Sequence, residues 1–173
     1  MKDRLFLAMV LSLVFFKVVS QDVPSRPVEK VISEYLNIQN FLFKGDGDSV
    51  RLYAKNLNNS IEGLQSEGMS VKEKKAFTQF RQKISYAAEY IKETNNVNLQ
   101  REHFISLSEN MYKMLKSFTI ATTLYYEFCP MANDNKGAYW LNSTPEIRNP
   151  YYGAKMPSCG SVKDSLISQQ KSK

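Results

Sequence analysis

Between Phe128 and Gly160 the 173-residue chain gathers both of its cysteines, its single tryptophan and four of its six prolines. Two methionines lie there as well, so four sulfur atoms occur in the order Cys129, Met131, Met156, Cys159, written "CPM" at one end and "MPSC" at the other. Thiolate and thioether are soft ligands that favour Cu(I) and, by the same reasoning, Ag(I) over hard cations. Four of them brought together by a closing loop would make a metal site. Trp140, midway, would cover it with a ring face that attracts cations, and His103 stands in reserve as a further ligand. The same two cysteines also suit a disulfide, the common fate of a cysteine pair in an exported protein. A Cys129–Cys159 bond closing a loop of about 30 residues would stabilise the fold by roughly 3–4 kcal/mol. Spacing alone favours the bond, and the two states can exchange, reduction opening the metal site.

No other chemistry assembles from the residues. His103 is the only histidine and sits beside the apolar Phe104 in a helical pattern, so no cysteine–histidine nucleophile pair is evident. Phosphate-binding loops, dinucleotide fingerprints and zinc-protease motifs are missing from the sequence. "DGDS" lacks the later ligands of a calcium loop and reads instead as a helix cap at Asp48 or Ser49. The expectation is a protein that is not an enzyme.

Four amphipathic stretches must position the loop. Apolar residues recur three and four apart over Pro27–Phe43, Ser49–Gln65, a third stretch from Ser70 through Ile91, and a fourth carrying Phe104, Leu107, Met111, Met114, Phe118, Ala121 and Tyr125. Ser70 and Glu73 have the spacing of a capping box. Short polar breaks between them favour antiparallel neighbours. The expected fold is all-α: an up-down four-helix bundle, a long irregular Pro/Gly-rich loop over 128–160, and a short last helix in "SVKDSLISQQ".

The N-terminus sets the compartment. "MKDR" is basic, Leu5–Phe16 is apolar but too short for a bilayer, and Val18 and Ser20 are small residues ahead of a cut before Gln21. Residues 1–20 read as a signal peptide and 21–173 as one exported domain, periplasmic or otherwise outside the cytoplasm, with no membrane span in the mature chain. Removing three positive charges and one negative lowers the formal charge from +6 to near +4. Both signs are interspersed, and the densest basic run, "KEKK", includes a glutamate, so nucleic acid is not an expected partner.

The run "YYEFCPMANDNKGAYWLNSTPEIRNPYYGAKMPSCG" resembles the C-terminal signature of a bacterial periplasmic domain-of-unknown-function family, the DUF3347 type. Upstream, "LQREHFISLSENM" (Leu99–Met111) resembles the family's Gln-Arg helix, and "EYLNIQNFL" (Glu34–Leu42) its first helix. Similar domains occur alone and attached to adaptor subunits of copper/silver efflux pumps. The resemblance therefore implies a heavy-metal context, with an efflux-pump component as partner and Cys129, Met131, Met156 and Cys159 as ligands. Ala132 stands where related metal-binding segments commonly carry histidine, which leaves this chain one ligand fewer. Asn149, Pro150, Tyr151 and Gly153 are expected to shape the loop, and Trp140 and Tyr152 to pack it on the bundle or shield the ion. The alternative is a disulfide-stapled interaction module that docks a protein through the "NPYYG" surface.

Overall fold

The computed structural model describes residues 27–168; the signal segment expected at 1–20 lies outside them. Four helices form as the periodicity implies: α1 (Pro27–Lys44), α2 (Gly47–Gly63), α3 (Val71–Lys92) and α4 (Val97–Leu115). Each packs against its successor, burying Tyr35, Ile38, Leu57, Ile61, Ile84, Ile91, Phe104, Leu107 and Met111 in one core. No helix among the described residues is long and apolar enough to cross a membrane.

Local signals set the helix ends. Gly45, at φ +76°, ends α1 in a conformation that costs other residues energy. The cap of α2 is Asp46 rather than the expected Asp48 or Ser49. The helix begins at Gly47, and the Asp46 carboxylate accepts from Ser49 N at 3.0 Å and Ser49 Oγ at 2.7 Å. Those bonds hold its pKa below the ordinary carboxylate value. Gly47 also permits a close approach, because a Cβ there would lie 2.0 Å from the Asn95 carbonyl oxygen. The expected capping box forms in full: Ser70 Oγ accepts from Glu73 N, and Glu73 Oε2 accepts from Ser70 N at 2.8 Å.

Beyond Leu115 the all-α expectation fails. Phe118, Ala121 and Tyr125 do not continue α4. The segment "SFTIATTLYY" is rich in β-branched and aromatic residues, which fit a pleated surface better than a helix. It leads into a three-stranded antiparallel sheet of β1 (Leu124–Cys129), β2 (Ala138–Asn142) and β3 (Ser161–Leu166), in spatial order β2-β1-β3. The expected irregular loop thus begins inside β1 and contains β2. The expected last helix is β3, whose pairing with β1 supplies what a short isolated helix there could not.

Both outer edges of the sheet are managed. On β2, Tyr35 Oη accepts from Leu141 N (2.9 Å) and Tyr151 Oη donates to Tyr139 O (2.5 Å), so two phenols replace a neighbouring strand. On β3, the pairing passes from Tyr126↔Asp164 to Glu127↔Val162, leaving Lys163 as a bulge that interrupts the open edge. Asp164 is tied back to α4 by the Tyr112 hydroxyl, with Lys116 Nζ 3.8 Å away. Tyr112 in turn stacks on Tyr126, and Tyr126 on Tyr139.

Candidate functional site

Cys129 is the last residue of β1, and Cys159 lies two residues before β3. Antiparallel pairing sets Phe128 opposite Ser161, which brings the two cysteines to the same end of the sheet. Their Sγ atoms are 2.8 Å apart and both are free thiols, with no disulfide formed. Cys129 is wholly buried and Cys159 half-buried. The neighbouring Cys129 thiol, with some burial, raises the Cys159 pKa to about 11. A thiolate at Cys159 is therefore disfavoured around neutrality.

The frame around the pair is built by the proline- and glycine-rich segment. Cys159 N donates to Met156 O at 3.3 Å, making "MPSC" a tight turn. Asn149, fully buried, is its hub. Asn149 Nδ2 donates to Cys159 O at 2.8 Å, Asn149 N donates to Pro157 O at 3.0 Å, and Asn149 Oδ1 accepts from Tyr151 N and Tyr152 N. Tyr152 Oη reaches across to Met131 O at 2.6 Å, joining the "NPYYG" segment to the "CPM" turn. That turn is unusual: Asn133, Asp134 and Asn135 all have positive φ (55°, 54° and 62°), the left-handed region in which asparagine and aspartate are the better tolerated non-glycine residues. Gly160, at φ +147°, lies directly over Trp140, and a Cβ there would come 2.8 Å from the indole Cη2.

The helices hold this frame through the "LQREHF" and "EYLNIQNFL" stretches. Arg101 Nε donates to Pro150 O (2.8 Å) and Arg101 Nη2 to Leu42 O (3.0 Å), clamping the loop to the end of α1. Partial burial lowers the Arg101 pKa without displacing its charge from neutral conditions. Gln39 Nε2 donates to Arg148 O at 2.8 Å. Gln100 Nε2 donates to the Gly47 and Thr94 carbonyls, fastening the α1–α2 and α3–α4 connections together. The resemblance-bearing residues of the helices are therefore structural fasteners.

Of the six residues expected at a metal site, the structure brings Cys129 and Cys159 into contact. Met131 rides on the neighbouring turn, 45% exposed, and Met156 begins the turn that carries Cys159, half-buried. Trp140 is fully buried on β2, edge-on to Tyr151 with ring centroids 5.9 Å apart, as part of the packing under Gly160. His103 stacks on Tyr90 of α3 (centroids 4.9 Å apart), turned towards that helix. Among the described residues no three His, Cys, Asp or Glu side chains converge to hold a metal ion. In the "NPYYG" segment Asn149, Pro150, Tyr151 and Gly153 are buried and Tyr152 is half-buried.

The residue that sequence reasoning missed is Glu127. It pairs across the strands with Trp140, is completely buried, and neither of its oxygens nor Trp140 Nε1 has a hydrogen-bond partner. Burial pushes its pKa up to about 8. The side chains of Asn142 and Trp140 lie near enough to favour the charged form somewhat, without reaching hydrogen-bond geometry. The available signal was a lone acid inside "LYYEFC", between aromatic residues.

The family described as protein of unknown function (DUF3347) matches over residues 31–123, more than half of the chain. The protein belongs to the DUF3347 family. The match spans the helices and ends one residue before β1, so membership rests on the helical part of the chain. The cysteine-bearing sheet of this DUF3347 protein lies beyond the matched residues. No curated protein and no solved structure matches the chain.

Proposed function

We propose that this DUF3347 protein is a non-enzymatic, exported binding domain whose working group is the Cys129–Cys159 dithiol. In its reduced form the dithiol takes up a thiophilic monovalent cation, Cu(I) or Ag(I), in the service of metal efflux or homeostasis. The observation that carries this reading is the 2.8 Å separation of two sulfur atoms on a hydrogen-bonded frame at one end of the sheet. An ion held tetrahedrally by two thiolates, at the metal–sulfur length of about 2.3 Å typical of zinc, sets the sulfurs about 3.8 Å apart. The pair therefore has to open by about 1 Å, a movement within reach of the exposed turn that carries Cys159. Met131, two residues from Cys129 and 45% exposed, and Met156, three residues from Cys159, are the thioethers proposed to complete the shell. Cation uptake displaces the thiol protons, so affinity rises with pH.

Cu(I) added to the reduced protein should produce thiolate-to-metal absorption together with a change in Trp140 fluorescence. Equal affinity in the Cys129→Ser/Cys159→Ser variant would remove the dithiol from the site.

The same distance favours a second reading, a disulfide-stapled domain that binds no metal. Closing from 2.8 Å to a bond of about 2.05 Å is a movement of less than 1 Å. A thiol count on protein taken directly from the exporting compartment separates the two: two reactive thiols support the metal reading, and none until reductant is added supports the staple.

A further inference from the structure

A cleft of about 400 Å³ runs between α1 and the segment after β2, on a different part of the molecule from the thiol pair. Its size suits one or two sugar rings. The floor is apolar, from Ile32 and Leu36, and the walls combine the polar side of α1 with residues of the "WLN" and "EIRN" stretches.

Apart from Glu29 and Arg148, the cleft is lined by uncharged side chains. The chain has 23 Lys/Arg and 17 Asp/Glu, yet Ser33, Asn37 and Asn40 present hydroxyl and amide groups to the cleft. Such groups recognise a ligand by hydrogen bonds, each amide offering both donor and acceptor. Asn37 uses its Nδ2 on Ser33 O, leaving Oδ1 for a ligand; Asn40 accepts at Oδ1 and keeps its Nδ2.

One cation is built into this wall. The Arg148 carbonyl is held by Gln39, its Nη2 donates to Asn40 Oδ1 at 3.2 Å, and its guanidinium lies 4.7 Å over the Phe43 ring. Among the described residues Arg148 has no carboxylate partner, although it keeps further N–H donors. Glu29, which also lines the cleft, is already engaged by Ala121 N and Thr122 Oγ1. A guanidinium fixed in advance and left without a counter-ion is the arrangement that recognises a carboxylate. We infer that the cleft binds a carboxylated, polyhydroxylated ligand of one or two sugar rings, its carboxylate on Arg148 and its hydroxyls on Asn37, Asn40 and Ser33. The site is independent of the dithiol.

Titration calorimetry of the exported chain with glucuronic acid tests the assignment, with glucose and acetate as the probes lacking one half of the recognition. Glucuronate should bind saturably, and glucose and acetate about tenfold or more weakly by comparison. Arg148→Met should weaken glucuronate by about tenfold or more. Asn37→Ala should weaken it by about threefold with an unchanged unfolding midpoint, since its side chain bonds only within its own helix turn. The second variant decides the matter if the first unfolds. No saturable binding of glucuronate at millimolar concentration, glucose binding as tightly as glucuronate, or full affinity in Asn37→Ala would each overturn the proposal.

Discussion

Residues 27–115 and residues 124–166 satisfy their backbone groups by opposite means. In the helical region the partners are near in sequence: helix ladders, the Ser70/Glu73 capping box, and Asp46 on Ser49. In the sheet region the decisive ones come from side chains on the helices or from one buried hub. Tyr35 serves Leu141, Arg101 serves Pro150, and Asn149 joins Pro157, Cys159 and the two tyrosines between. The first region is assembled from many small, replaceable contacts, whereas the second hangs on a few hubs that also position the thiols. Removing a hub should therefore cost more, and reach the cysteines, while removing a cap should do neither.

The largest effect is expected at Asn149. Asn149→Ala removes three side-chain hydrogen bonds from a fully buried position and strands the Cys159 carbonyl, a loss of about 3 kcal/mol in chemical denaturation. It should also expose both thiols to alkylation in the native state. Unchanged thiol protection would show that the hub does not govern the site.

Glu127 comes next. Its pKa in the folded protein, about 8, lies above the ordinary value of 4.5, so folding favours the protonated carboxyl. Its contribution is full below pH 4.5 and is lost as the pH rises through 8, on the order of 2–4 kcal/mol across that window. Glu127→Gln should flatten this dependence when unfolding midpoints are compared at the two ends. An equally steep profile in the variant would assign the pH response to other groups.

The smallest effect belongs to the helical region. Ser70→Ala should destabilise by about 1 kcal/mol, the usual worth of an N-cap, and leave the alkylation rate of Cys159 untouched. A change in thiol reactivity there would erase the contrast between the two regions.

The same contrast explains what could be read from the sequence. Helix positions, the capping box and the core stripe at Phe104, Leu107 and Met111 follow from spacing within one segment, and they formed. The sheet depends on pairing Tyr126 with residues both 15 and 38 positions away, Leu141 and Asp164, which no local period reveals. Phe118 and Tyr125 continued the apolar spacing of α4 closely enough to hide the change from helix to strand. At the site, the approach of Cys129 to Cys159 was legible because both lie in one compact motif. The outward position of Met131 and the buried acid Glu127 follow from strand register, and the separation of His103 from the packing of α4 on α3, neither of which the sequence pattern disclosed.

X-ray absorption at the copper edge of the reduced protein loaded with one Cu(I) tests the dithiol assignment most directly. The expected result is a shell of two or three sulfur atoms at about 2.2–2.3 Å, lost in Cys129→Ser/Cys159→Ser and reduced by one in Met131→Leu if that thioether completes the shell. A shell of oxygen and nitrogen only, or a sulfur shell that survives loss of both cysteines, would contradict the assignment.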